Sequence, residues 1–466
     1  MNLPYDFIVR TKQWLCDDYA LLEKSFQEES PVSIRLNPAK PTVPVSEYEK
    51  VGWCETGYYL PERQAFTFDP LFHAGCYYVQ EASSMFLEQA VAQYISTPVI
   101  CLDLCAAPGG KSTHLLNLLP EKSLLVSNEV IHSRVSVLKE NLMKWGSPYF
   151  IVTCNDPKEI GLLTHLFDVI VADLPCSGEG MFRKDKNSRN EWSVAGVQLC
   201  AARQRRIIND IWESLKPGGL LVYSTCTFSR EENEENIRHF VEHYYAEVLP
   251  VTVEDEWKIS PAVNETFPLY RFYPYKTKGE GFCLALLKKP DGERKTIQVQ
   301  SSGFKVANPP LKGVNGMSFL RSCDHTVLRS FRKGMLDNDN RFHFVINQNL
   351  IQAIPNSHLS TCQLLSQHLR ILSAGVFVGE IKGNDLIPSS ALALSTCFRS
   401  EAFPSVELTL EESVRYLQKE ALVLPEHIPT GFIVVKYNNT PLGFMKNIGN
   451  RANNLFPQAW RIRKRI

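Results

Sequence analysis

Residues Val99 to Leu119 read VICLDLCAAPGGKSTHLLNLL, and the change of period inside them decides the fold. A short run that is apolar on both faces passes, through a loop of small residues, into a helical pattern. Such a run belongs to a strand covered on both sides. The same rhythm recurs outward from it in SLLVSNE (123–129), YFIVTCND (149–156), FDVIVAD (167–173) and GLLVYSTC (219–226), each ending in polar residues. Between the second and third runs, Val130, Val137, Leu138 and Leu142 share one helical face. LKPGG (215–219) reads as a helix end closed by glycine. The expectation is an α/β fold, a doubly wound parallel sheet spanning 96–290, with ligands gathering at the carboxyl ends of its strands.

The chain of 466 residues is long enough for about three domains. Before the sheet, 1–95 combines a helical start with the proline-rich NPAKPTVPV (37–45). After it, EENEENIRHFVEHYY (231–245) reads as a helix that turns Ile237, Phe240, Val241 and Tyr244 inward and its glutamates to solvent. From about residue 290 the α/β rhythm stops, which suggests a connecting unit at 291–385. The last part, 386–466, is expected to be a small β unit with YNNTPLG (437–443) as the turn between two strands.

Fifty basic and fifty acidic residues cancel, so bulk charge names no partner. From Thr430 onward, however, Lys436, Lys446, Arg451, Arg461, Arg463, Lys464 and Arg465 face no acidic residue in sequence, a local cationic patch. Thirteen cysteines without framework spacing point to reduced thiols and the cytoplasm. The N-terminus lacks a secretory leader pattern, and no apolar run is long enough to span a membrane. Cys101 and Cys105 have no second pair at zinc spacing, so no metal is expected.

GGKST (109–113) invites a nucleotide-phosphate reading, but that motif requires glycine where Cys105 stands. What the loop offers is small residues that let a ligand approach the backbone, at a helix N-terminus that favours negative charge. Glu129, Asp156 and Asp173 close successive runs. Any one could be a helix cap; together they suit a nucleoside, with one acid on the ribose, one near an adenine amino group and one at the reacting centre. Cys176 and Cys226 also stand at strand ends, and residue type alone leaves open which of them is a nucleophile.

DLCAAPGGK, DLPCSGEG, YSTCT and RFYPYKTKGEGF (271–282) together resemble the motifs of the Sun-type RNA 5-methylcytosine methyltransferases. PVSIRLNPAK (31–40), YYVQEASSM (77–85) and PLGFMKNIGNRANNLFPQAWR (441–461) are similar to the RsmF-like bacterial branch of that family, which acts on small-subunit (16S) ribosomal RNA. The resemblance implies a Rossmann-like S-adenosyl-L-methionine methyltransferase domain, an N-terminal α+β RNA-binding extension and a C-terminal PUA-like RNA-binding domain, acting as a monomer. It implies that Cys105, Ala106, Ala107, Pro108, Gly109, Gly110, Lys111, Glu129, Arg134, Asp156 and Asp173 hold the cofactor. One departure is Tyr275, where the family usually has histidine. The competing expectations are a transfer-RNA cytosine methyltransferase of the same fold and a non-catalytic ribosome-assembly factor that binds RNA.

Carbon 5 of cytosine is a weak nucleophile, and covalent attack at carbon 6 turns the ring into an enamine that can accept a methyl group. The attacker should be a thiolate, and ring nitrogen 3 needs a proton as charge builds there. The resemblance implies that Cys226 attacks and that Cys176 assists product release. DNA cytosine methyltransferases instead use the cysteine after proline, and the residues following Cys176 do not match theirs. Asp173 is the candidate at nitrogen 3, and Lys111 is expected between cofactor and base. The target base must leave its stack. MFRKDKNSRNEW (181–192) offers Arg183, Lys184, Lys186 and Arg189 for phosphates, with Phe182 and Trp192 for stacking.

Overall fold

A computed structural model of the chain describes residues 3–41, 43–292, 321–322, 335–383 and 385–464. The N-terminal part contains helices α1 (Tyr5–Leu15) and α2 (Tyr19–Ser25) and strands β1 (Val32–Leu36), β2 (Gly57–Leu60) and β3 (Tyr77–Val79), with the short α3 (Pro70–His73) between the last two. The three strands form an antiparallel sheet in the order β2-β1-β3. Helix α4 (Leu87–Tyr94) then leads into the α/β part.

The five apolar runs become β4 (Ile100–Asp103), β5 (Leu124–Asn128), β6 (Phe150–Thr153), β7 (Phe167–Asp173) and β8 (Leu215–Thr225), with neighbours parallel as expected. Between them lie α5 (Gly110–Leu118), α6 (His132–Trp145), α7 (Pro157–Gly161), α8 (Lys186–Glu191) and α9 (Val194–Ile211). After β8 come α10 (Glu234–Tyr244), β9 (Glu247–Leu249), β10 (Tyr270–Phe272) and β11 (Phe282–Lys288). Leu102, Val126, Ile151, Ile170 and Leu221 pack on one side of the sheet, and Cys101, Leu125, Val169, Val171 and Val222 on the other. This alternation explains why every position of these runs is apolar.

Beyond residue 292, β12 (Arg321–Ser322), β13 (Phe342–Asn347), β14 (Leu350–Pro355), α11 (Leu359–His368), β15 (Ile371–Ala374), β16 (Val376–Lys382) and β17 (Asp385–Pro388) follow. Five of these strands form a sheet in the order β12-β13-β14-β16-β17, which excludes β15. Strand β15 instead pairs antiparallel with β6, so the large sheet runs β10-β11-β8-β7-β4-β5-β6-β15, with β9 beside β11. The α/β sheet therefore does not end near residue 290, and a boundary at 385 would cut through β17. Residues 293–320 and 323–334 of the expected connecting unit lie outside the described residues.

The C-terminal part holds α12 (Ser390–Leu394), β18 (Ser405–Glu407), α13 (Leu410–Leu417), β19 (Gly431–Tyr437), β20 (Thr440–Asn447) and β21 (Ala452–Asn454). Its four strands form one sheet. Asn438 and Asn439, both at positive φ, make a two-residue turn between β19 and β20, shorter than the expected YNNTPLG, whose Thr440 to Gly443 already belong to β20.

Three local expectations change. Helix α6 begins at His132, which leaves Val130 and Val137 exposed and turns Val135 inward beside Leu138 and Leu142. LKPGG opens β8 rather than closing a helix: α9 has already ended at Ile211, and Gly218 turns at φ +72°. On α10, Glu234 and Asn236 are as buried as Ile237 and Phe240, because Arg271 of β10 neutralises Glu234 at the base of the helix.

Candidate active site

Chain order along the sheet reverses between β4 and β7, and the crevice at such a switch point is where a doubly wound fold binds its ligand. The small-residue loop lies at this point. Its Ala106 N–H donates to Asn128 O at 2.8 Å, while α6 supplies Arg134 Nη2 to Ala107 O at 2.6 Å and Asn141 Nδ2 to Pro108 O at 2.8 Å. Gly109, at φ +112°, caps α5, and a side chain there would meet Leu138 at 3.3 Å. The loop is thus held open from behind by α6. Cys105 is a thiol here, because burial pushes its pKa far up.

Acceptors line the same crevice. Glu129 is buried; its Oε1 accepts from Ile131 N at 2.9 Å, and its Oε2 lies 3.3 Å from Arg134 Nη1 without a hydrogen bond. Asp103, fully buried, accepts from Ser112 Oγ at 2.6 Å through Oδ2 and leaves Oδ1 without a partner. Burial raises the Asp103 carboxyl to about 7. Unsatisfied buried acceptors beside a glycine-lined loop are what a ligand carrying hydroxyl and amino donors requires, so these residues suit S-adenosylmethionine. Asp103 itself had no role in the sequence reading, although its place before the loop marked it. Asp156 is exposed and caps α7, accepting from Lys158 N at 3.0 Å in a capping box with Glu159. The cap reading of that acid is the one its contacts show.

The reacting groups converge one strand over. Cys176 Sγ lies 3.1 Å from Cys226 Sγ. Hydrogen bonding to Cys226, then burial, then the charges of Cys226 and Glu232 push the Cys176 pKa well above the ordinary thiol value. Cys176 therefore rests as a thiol. Asp173 accepts from Lys111 Nζ through Oδ2 and from Ser224 Oγ through Oδ1, both at 2.8 Å. Burial pulls the Lys111 ammonium down, but Asp173, Asp103 and Cys226 more than reverse this and leave it above the usual lysine value. Lys111 also sits 5.2 Å from the Phe282 ring centroid. It is a bound cation at the crevice, not a solvated one.

The loops that carry the two cysteines are locked by groups the sequence reading placed in solvent. Glu232 is fully buried and accepts from Ser177 N at 2.9 Å, Ser177 Oγ at 2.5 Å and Gln204 Nε2 at 3.1 Å. Ser177 Oγ lies 2.9 Å from Thr227 Oγ1, which joins the residue after Cys176 to the residue after Cys226. Glu179 accepts from Trp192 Nε1 at 3.0 Å and Phe228 N at 3.1 Å. Gly180 N donates to Cys226 O at 2.9 Å; a side chain on Gly180 would sit 2.4 Å from Gly281 O, and one on Gly281 would sit 2.4 Å from Phe228. The glycines of DLPCSGEG and KTKGEGF thus let three loops meet. Among the sequence signals, only the motif position of Ser177, Glu179 and Gly180 pointed to this.

The N-terminal stretches PVSIRLNPAK and YYVQEASSM brace the same loops. Arg35 donates to Gln80 Oε1 at 2.9 Å and to Thr113 Oγ1 of α5 at 2.6 Å, and its guanidinium lies 4.6 Å from the Trp145 ring centroid. Glu81 accepts from Glu280 N at 2.8 Å, Ser83 Oγ donates to Glu280 O at 3.0 Å, and Arg183 Nε reaches Glu280 Oε2 at 3.0 Å. Tyr275 donates to Asp18 Oδ2 at 3.0 Å and packs beside the aromatic cluster of α1 and α2.

The segment 181–192 does not form the expected stacking platform. Phe182 is fully buried and Trp192 is 8% exposed, both inside that aromatic cluster. Arg183 is spent on Glu280, and Arg189 Nε donates to Phe182 O. Apolar burial outweighs RNA contact for these rings; Lys184 alone of the described cations is exposed. Among the described residues one trio, Cys54, Glu88 and His114, has donor atoms close enough for an ion. His114 Nε2 already lies 3.0 Å from Glu88 Oε2, and burial, followed by the nearby Arg35 charge, lowers its pKa to about 4. A hydrogen-bonded group beside a guanidinium is a poor cation site.

Residues 96–288 match the model of the 16S rRNA methyltransferase RsmB/F family, 3–82 the N-terminal domain of 16S rRNA methyltransferase RsmF, and 403–462 the methyltransferase RsmF PUA domain. The chain is 31% identical over 452 residues to ribosomal RNA small subunit methyltransferase F of Enterobacter sp. (strain 638), covering 91% of this chain and 88% of that one. It is 27% identical to the protein of that name from Erwinia tasmaniensis, covering 98% and 96%. Of solved structures, a methyltransferase homologue from Pyrococcus horikoshii aligns with a TM-score of 0.52 at 28% identity, over 61% of this chain and 94% of that one.

Proposed function

The chain belongs to the RsmB/F family of 16S ribosomal RNA methyltransferases, and from that premise we propose which residues carry each part of its reaction. It is an S-adenosylmethionine-dependent enzyme that methylates cytosine at carbon 5 in small-subunit ribosomal RNA. When bound, S-adenosylmethionine supplies an electrophilic methyl group. The loop Cys105 to Gly110 would hold its backbone-facing side, Glu129 and Asp103 would accept from its hydroxyl and amino groups, and Asp156 and Arg134 would flank it. Arg134 acts mainly by fixing the loop through Ala107.

The observation that carries the assignment is the 3.1 Å approach of Cys176 and Cys226. Cys226 attacks carbon 6 of the flipped cytosine as thiolate. Asp173 serves ring nitrogen 3, drawing the proton it needs through its hydrogen-bond partners Lys111 or Ser224. Once carbon 5 is methylated, its proton must leave before the carbon–sulfur bond at carbon 6 can break. Cys176, which gives up its own thiol proton to water once the Cys226 sulfur is engaged with carbon 6, takes that proton as a thiolate; the C5–H electron pair forms the carbon 5–carbon 6 double bond and Cys226 is expelled as thiolate. Two unlinked thiols this close suit a reducing cytoplasm.

The test uses full-length protein with S-adenosylmethionine and unmodified small-subunit ribosomal RNA. Cys226→Ala should bind cofactor normally and transfer no methyl group. Cys176→Ala should accumulate a protein–RNA adduct that survives denaturation and disappears when Cys226 is also replaced. Normal turnover by Cys226→Ala would overturn the assignment, and a Cys176→Ala reaction free of adduct would remove the release role.

A further inference from the structure

A second cavity, of about 430 Å³, opens where α6 of the methyltransferase sheet meets β16 and the C-terminal unit. Lys139, Lys382, Lys419, Phe377 and Trp460 are among the side chains that line it. Its volume falls within the range of pockets that take one small polar ligand. Lys382 is balanced by Glu380 at 3.1 Å. Glu380 also lines the cavity, but among the described residues no carboxylate shifts Lys139 or Lys419: burial depresses both ammonium groups, and Arg461 depresses Lys419 further. Lys419 holds a left-handed backbone at φ +66°, an uncommon state for a long side chain, and its Nζ donates to Phe456 O at 2.6 Å. Half-buried cations without counter-ions are costly in the free protein and favour an anionic ligand. An aromatic ring beside them adds a surface on which a base can stack.

The cavity also lies on the helix that shapes the active site. Lys139 follows Arg134, whose guanidinium holds the cofactor loop, by about 7.5 Å along the axis of α6. We propose that this cavity is a second RNA-binding subsite, in which Lys139 and Lys419 hold a backbone phosphate and Trp460 stacks an adjoining base. The proposal rests on the ribosomal RNA reading above and adds to it a place, outside the catalytic crevice, where the substrate strand is gripped. The exposed Arg451, Arg461, Arg463 and Lys464 of the C-terminal basic patch then form the approach to the subsite.

The test measures binding of full-length protein to unmodified small-subunit ribosomal RNA transcribed in vitro, across a salt titration. Lys139→Gln combined with Lys419→Gln, both half-exposed positions, should reduce the slope of log affinity against log salt by about 0.7, the contribution of the one single-strand phosphate contact they share. It should raise KM for RNA and leave kcat at saturating RNA unchanged. In the unaltered protein, transcript carrying 4-thiouridine should photocrosslink to the peptide containing Trp460. An unchanged salt slope with no crosslink in that peptide overturns the subsite. So does protection of the crosslink by millimolar inorganic phosphate alone, which would make it a free-phosphate site. Weakened binding to assembled subunits with unchanged binding to naked RNA would assign the cavity to a protein and also overturn it. Failure of the proposed function would look different: the unaltered protein would bind RNA and crosslink yet methylate no cytosine.

Discussion

Gly180→Ala is the substitution that most directly probes the meeting of the three loops at the active site. The added carbon would lie 2.4 Å from Gly281 O and 2.8 Å from Cys226 O, both backbone atoms that no rotamer can move aside. An ordinary carbon–oxygen contact is about 3.3 Å, so the loops must separate by about 0.9 Å. Overpacking of this kind costs about 1–3 kcal/mol of stability. Its larger effect is on catalysis, because a displacement of about 1 Å can cost a hundredfold in rate, and besides Gly281 O the carbonyl of the attacking cysteine is pushed, by about 0.5 Å. Gly178→Ala is the control: Gly178 has φ +73° but nothing within 4 Å, so alanine there suffers backbone strain of about 1–2 kcal/mol without any clash. The assay is single-turnover methyl transfer at saturating RNA and cofactor, with thermal unfolding in parallel. We expect kcat to fall about a hundredfold for Gly180→Ala and within a few-fold for Gly178→Ala. Equal rates for the two variants, with Gly180→Ala folded, would refute the view that loop apposition positions Cys226.

Glu234→Ala leaves Arg271 as an unpaired buried charge and should lower stability by about 3–5 kcal/mol in urea denaturation, whereas replacing both residues with apolar ones of similar volume should cost much less. His73, held neutral by burial and by the nearby Lys144 charge with a pKa of about 4, binds its proton more weakly in the folded chain than in the unfolded one. Its stabilising contribution is full above about pH 6.5 and is lost as pH falls toward 4, so His73→Asn should flatten the fall in unfolding midpoint over that window. Glu129→Gln should weaken binding of S-adenosylhomocysteine by about tenfold or more in calorimetry, the usual scale for one hydrogen bond to a charged acceptor, with the thermal midpoint of the free protein little changed.

The parallel sheet was legible because its strands are covered on both faces, and an uninterrupted apolar run of five or six residues leaves few other readings. The cofactor loop and the cysteine pair were legible through motif resemblance, and each stands where the fold brings it. What escaped the sequence was partner identity. EENEEN reads as a solvated charge run until Arg271, Ser177 and Gln204 arrive from distant segments to take Glu234 and Glu232 inside. Phe182 and Trp192 were read as exposed because cations flank them, yet α1 and α2 supply the aromatic surface that buries both. Strand β15 has no signature of a sheet member, being short and separated from its partner β6 by two intervening structural units.

That strand has a consequence for how the protein is made. Until Ala374 has left the ribosome, β6 presents an unpaired edge with the backbone donors and acceptors of a sheet awaiting its last strand. The catalytic sheet, whose residues are otherwise complete by Lys288, is therefore finished by sequence translated much later. During synthesis the nascent chain carries a nearly assembled active site beside an open edge, and the arrival of the C-terminal half closes it. A methyltransferase whose substrate is itself ribosomal RNA thus withholds its finished sheet until most of its own chain has been synthesised.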